Sequence, residues 1–103
     1  MNQDKYRLPW FVDQMQRFDG ELYRLSADSV QAAMAPGALD VKTKLLIVLA
    51  LDALKGAAQG VEAVSAQARA AGAADEEIRE ALRLAYYVSS MDVVKTSLKA
   101  WGE

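Results

Sequence analysis

The 103-residue chain suits one domain, and a net charge of −2 with no basic arm gives no bulk attraction to nucleic acid or an anionic membrane. It contains no cysteine and no histidine, which excludes thiol and disulfide chemistry and any imidazole acid, base or metal ligand. At 52% hydrophobic and 25% charged, rich in alanine and with only two prolines and six glycines, the composition favours a helical globular protein, since alanine loses no side-chain entropy in a helix.

Met1 to Trp10 carries Asp4, Lys5 and Arg7 and lacks a long apolar core, so it does not read as a secretory signal. From Pro9, which a first helical turn tolerates, Trp10, Phe11, Met15 and Phe18 recur at helical spacing. Gly20 interrupts or bends this segment, and Glu21 to Met34 continues as helix, with Leu22, Leu25, Val30 and Ala33 on one side. Pro36 and Gly37 end it. Residues 1–37 therefore read as an aromatic-rich helical hairpin, suited to packing on the main body or on another subunit.

Asp40 is a suitable N-cap for the next helix, which runs to about Leu54. Its stretch from Leu45 to Leu51 is the longest apolar run of the chain, far short of the ~20 residues a membrane span needs. It is apolar all the way round, and such a helix should be buried on every side. A monomer this small leaves one face in water, so the run predicts a homo-oligomer formed through the 45–54 helix.

Gly56 and Gly60 loosen the chain near the start of the following helix, where Ala57, Val61, Val64, Ala68 and Ala71 form a narrow seam of small residues. Gly72 is a helix stop. Asp75 can cap the next helix, with Glu76 and Glu77 complementing its dipole. Ile78, Leu82 and Ala85, with Leu84 and Val88 less regularly, form its apolar side. Ser89, Ser90 and Asp92 predict a break or a new cap, and Met91, Val94, Leu98 and Trp101 make one more amphipathic stripe. Nowhere does strict apolar and polar alternation argue for a strand. The expected fold is all-α, a bundle of about five to six helices.

From Leu39 the chain reads Leu-Asp-Val-Lys-Thr-Lys-Leu-Leu-Ile, and from Gly72 it reads Gly-Ala-Ala-Asp-Glu-Glu-Ile-Arg-Glu-Ala-Leu. This resembles the carboxymuconolactone decarboxylase and alkylhydroperoxidase D-like family. Its pattern runs Leu-x-Pro-Lys-Thr-x-Glu-Leu-Ile, then a Cys-x-x-Cys-x-x-x-His helix, then Gly-Ala-Thr-x-Glu-Glu-Ile-x-Glu-Ala-Leu. Val41 stands where the family has its proline, and the spacing needs no gap from Leu39 to Leu82. The resemblance implies an alkylhydroperoxidase D-like helical bundle, with residues 38–103 as the family core and trimers or hexamers as common assemblies.

Carried across position by position, the family glutamate falls on Leu45, the two cysteines on Ala57 and Gly60, and the histidine on Val64. The polar position between the cysteines falls on Gln59. A paired thiol at a helix start works because the dipole lowers one thiol pKa and the second thiol resolves the mixed disulfide, and alanine and glycine do neither. The lactone decarboxylase branch dispenses with the cysteines but keeps histidine, which is also missing here. Leucine and valine at the glutamate and histidine positions indicate a pocket turned into core, where an apolar side chain avoids the cost of a buried unpaired polar group.

The remaining polar candidates for a reused pocket are Asp52, Gln59, Glu62 and Tyr86. Asp52, in an otherwise apolar helix, fits either a desolvated carboxylate or an edge charge paired with Lys55, with Lys44 or with another subunit, and structural ion pairs of the second kind are the commoner case. Gln59 and Glu62 suit the solvated side of their helix. Of Tyr86 and Tyr87, which point to different sides, one should be core with a bonded hydroxyl. The serines have no base to activate them, and nothing marks Lys95 or Lys99 as a Schiff-base lysine. No zinc, calcium or phosphate motif is present, so no cofactor is expected. The expectation is a cytoplasmic, non-redox oligomer with a binding, scaffolding or assembly role and a small molecule as a candidate ligand; the rival is an enzyme reusing the pocket on a small organic acid or lactone, and a third reading is a free-standing, monomeric helical bundle that serves as a protein-interaction module.

Overall fold

The computed structural model describes residues 6–103, so Asp4 and Lys5 of the leading stretch lie outside the described residues. These are all-α: five α-helices and two 3-10 turns, with no strand among the described residues. No helix among them is long and apolar enough to cross a membrane. The chain divides into two compact units, Met1–Val41 and Lys42–Glu103.

In the first unit, α1 spans Trp10–Gln14, a 3-10 turn spans Met15–Arg17, and α2 spans Gly20–Met34. Pro9 stands just before α1, and its carbonyl accepts from the N–H groups of Val12 and Asp13 at 3.1 and 3.3 Å. Asp19, extended at φ −155°, accepts from the Leu22 N–H at 3.0 Å and caps α2, so Gly20 opens the helix instead of interrupting it. Gln31 ties the chain ahead of α1 to α2 by donating to the Tyr6 carbonyl and accepting from the Tyr6 N–H. Val12 and Met34 are buried, whereas Trp10, Phe11, Phe18, Leu22 and Leu25 remain exposed. Trp10 and Phe11 meet edge to face, with centroids 5.7 Å apart.

In the second unit, α3 spans Val41–Lys55, α4 spans Ala58–Ala70, and α5 spans Asp75–Ser97 and runs into a 3-10 turn at Leu98–Trp101. Asp40 stands immediately before α3, at the N-cap position. Gly56 at φ +76° and Gly72 at φ +100° make the two turns, in a backbone region that a Cβ disfavours. The core draws one face from each helix: Leu45 and Leu49 from α3, Val64 and Ala68 from α4, and Ile78, Ala81 and Ala85 from α5. Leu49, with no exposed surface, contributes roughly 2–3 kcal/mol by leaving water.

The start of α5 differs in detail from the sequence reading. Ala74 is the N-cap, and Asp75 is the first helical residue, paired with Arg69 at 3.1 Å. Alanine has no side-chain acceptor, so only the return half of a capping box forms: Glu77 Oε1 accepts from the Ala74 N–H at 2.9 Å. The other oxygen of Glu77 pairs with Lys42 at 3.0 Å and ties α5 to α3. The break predicted at Ser89, Ser90 and Asp92 does not occur. Ser90 donates to the Tyr87 carbonyl and Ser97 to that of Val93, so the hydroxyls are satisfied inside a continuous helix.

Candidate functional site

α3 and α4 position the residues at which the resemblance places its site. Leu45 and Asp52 are seven residues apart on α3, which stacks them on one face two turns apart. Leu45 is 2% exposed. Ala57 is the N-cap residue of α4, Gly60 lies in its first turn, and Val64 follows one turn later, 7% exposed. The positions of the two family cysteines therefore sit at the N-terminus of α4, where unpaired N–H groups and the helix dipole favour a negative charge. The location suits a thiolate; the side chains there are a methyl group and a hydrogen.

Asp52 brings a negative charge to that place from the neighbouring helix. Its carboxylate lies directly over Gly60: a Cβ built on Gly60 would overlap it, 2.8 Å from Cγ and 3.4 Å from Oδ1. Asp52 is half-buried, and its backbone carbonyl accepts from the Ala57 N–H at 2.9 Å. Within the chain the carboxylate pairs with neither Lys44 nor Lys55, and among the described residues it has no ion pair. Sequence spacing separated Asp52 from the α4 positions, and the Gly56 turn brings them together.

The other candidates are not gathered around it. Gln59 and Glu62 are exposed on α4, and Tyr86 is 74% exposed on α5. Tyr87 is also exposed, so neither tyrosine is core. Lys95, Lys99 and Ser89 are exposed on the outer part of α5 and its terminal turn. No group of three or more acidic side chains able to hold a metal ion occurs among the described residues.

A shallow apolar groove of about 410 Å³, not anticipated from the sequence, lies between α3 and α5. Leu46, Ile47, Leu51 and Leu84 line it, with Glu77 and Glu80 at its rim. Its signal was present in the four-and-three spacing of Ile47, Leu51 and Leu54, but an α3 that is apolar all round hides which face stays outside. Those three side chains are 44, 51 and 42% exposed.

Residues 20–103 match the model of the carboxymuconolactone decarboxylase family. The chain belongs to this family. The match takes in α2 as well as the three helices of the second unit. No curated protein and no solved structure matches the chain. As a carboxymuconolactone decarboxylase family member, the protein keeps the helix-start signals around Lys42-Thr43 and Glu76-Glu77-Ile78, which position α3 and α5. At the positions that the resemblance assigns to glutamate, two cysteines and histidine it carries Leu45, Ala57, Gly60 and Val64.

Proposed function

We propose that this protein is a non-redox member of the carboxymuconolactone decarboxylase family whose ancestral site has become core, and that it works as an oligomeric binding or assembly protein. The burial of Leu45 and Val64 carries the reading. Two positions that would hold a proton-moving pair are instead among the most enclosed apolar side chains of the chain. A core built from them stabilises the fold, and a polar replacement there would lack partners. The exposed face of α3, at Ile47, Leu51 and Leu54, supplies apolar surface for a second copy, as a trimer or a hexamer built through this helix requires.

Two measurements on the full chain test this. Light scattering coupled to size exclusion should give a mass of several chains, and Ile47→Glu with Leu51→Glu should lower it. The purified protein should not turn over small lactones or β-keto acids. Turnover that disappears in Asp52→Asn would overturn the proposal in favour of an enzyme built on that carboxylate.

A further inference from the structure

α5 and the 3-10 turn that continues it carry two apolar stripes, and the fold of the second unit uses one. Ile78, Ala81 and Ala85 are buried. Leu84, Tyr87, Met91, Val94, Leu98 and Trp101 are 62, 58, 42, 59, 51 and 76% exposed. At 3.6 residues per turn this second stripe lies roughly 150° round the helix from the first. Beyond Ala85 no described residue is buried.

The spacing of the second stripe is three, four, three, four, three, the a and d pattern of a helix that packs knobs into holes against another helix. That series reads the same in both directions. An antiparallel copy therefore presents the matching surface: Leu84 falls opposite Trp101, Tyr87 opposite Leu98, and Met91 opposite Val94, about a two-fold axis between Asp92 and Val93. The positions beside the seam in its middle are Val88, Ser90, Lys95 and Ser97, so only one charge needs to stay at the edge in water. Both serine hydroxyls already donate within their own helix and bring no unpaired donor to an interface. Six half-exposed to three-quarters-exposed large side chains represent on the order of 600 Å² per copy, or about 1,200 Å² in a pair, the lower end of a specific interface.

We infer that two copies of this chain pair through the outer stripe of α5, antiparallel and two-fold, with Leu84, Tyr87, Met91, Val94, Leu98 and Trp101 as the seam. The inference rests on the proposal that the protein assembles with itself, and it names the contact. Because the contact is isologous, it makes the number of chains in the assembly even.

Light scattering of the full chain tests both levels. Met91→Glu with Leu98→Glu should halve the mass while the far-ultraviolet dichroism per residue stays unchanged, because both positions are exposed. The cysteine-free background permits a second readout. Ser90→Cys with Ser97→Cys places two thiols seven residues apart on one helix, about 10 Å, too far to bridge within a chain. A mild oxidant should therefore give a covalent dimer, lost when Leu98→Glu is added. A wild-type assembly whose mass survives the α5 substitutions and gives no covalent dimer overturns the inference and leaves self-assembly standing. A wild-type protein that is monomeric at every concentration overturns both. A mass lowered only by Ile47→Glu and Leu51→Glu places the contact on α3 and overturns the α5 seam.

Discussion

Leu45→Glu restores the residue that the family pattern places at this position, and the structure gives its cost. Leucine here is 2% exposed. Truncation to alanine removes three carbons, about 2.4 kcal/mol of transfer free energy at ~0.8 per methylene, and the cavity left behind raises this to roughly 3 kcal/mol or more. A carboxyl group at the same place also lacks water, and burial raises carboxyl pKa values by up to about 3–5 units. At ~1.36 kcal/mol per unit, a three-unit rise destabilises the ionised form by about 4 kcal/mol, a large part of the roughly 5–15 kcal/mol that holds a small domain. The sign follows from proton counting. The folded state would hold a proton that the unfolded state releases above about pH 4.3, so stability falls as pH rises, by ~1.4 kcal/mol per unit up to the folded pKa, and is regained as pH falls toward 4. Urea unfolding followed at 222 nm at pH 4.5, 6.0 and 7.5 measures the slope. Leu45→Gln, of similar size and without a charge, should be destabilised with no added slope. If Leu45→Glu matches wild type within 1 kcal/mol at pH 7.5 and is flat with pH, position 45 opens onto water and the filled-site argument fails.

Gly72→Ala forces a Cβ into a backbone at φ +100° and should cost about 1–2 kcal/mol in urea unfolding, whereas Gly37→Ala, with nothing near an added Cβ and no positive φ, should lie within about 0.5 kcal/mol of wild type. Glu77→Ala removes both the bond to the Ala74 N–H and the pair with Lys42, and should cost about 1 kcal/mol or more. Lys42→Met removes only the partly exposed ion pair, and its smaller effect, about 0.5 kcal/mol, should vanish in 1 M salt. Gln31→Ala should release the chain around Tyr6, read as faster proteolytic cleavage ahead of α1 with the unfolding midpoint of the second unit unchanged.

The fold class and the helix order were legible because breaker signals and apolar periodicity agree at nearly every boundary. Gly56 and Gly72 mark turns that need a positive φ, and the spacing of Val64 with Ala68 and of Ile78 with Ala85 marks faces that are buried. One kind of signal misled and another was incomplete. Serine pairs read as breaks, but a helical serine can donate to a carbonyl three or four residues back, as Ser90 and Ser97 do, so α5 passes through them. An all-apolar run such as Leu45 to Leu51 states that burial is wanted without stating which side obtains it; the structure buries Leu45 and Leu49 and leaves Ile47 and Leu51 outside. The family pattern assigns its site to Leu45, Ala57, Gly60 and Val64. The contact of Asp52 with Gly60 was not legible, because it crosses a turn and arises from one helix end laid against another.

That contact bears on which residue stands at position 60. In the family pattern the second cysteine occupies position 60, and here the Asp52 carboxylate lies where its side chain would begin. Returning the thiols by Ala57→Cys with Gly60→Cys therefore does not return the chemistry. The Gly60→Cys side chain must first displace Asp52, and a carboxylate that stays close favours the protonated thiol, because like charges oppose ionisation. With Asp52→Ala added, the thiols sit at the N-terminus of α4 with no neighbouring anion, where the dipole favours the thiolate. Iodoacetamide alkylation at pH 7 should be several-fold faster in the triple variant than in the double one. The thiolate absorbance at 240 nm should titrate at lower pH. Equal rates in the two would show that the carboxylate swings clear of position 60 at no cost, and that glycine there has no structural cause in Asp52. A clear difference makes glycine at 60 and aspartate at 52 a matched pair: the small residue is the condition for a fixed carboxylate at this helix end, and that carboxylate in turn opposes a thiolate at position 60.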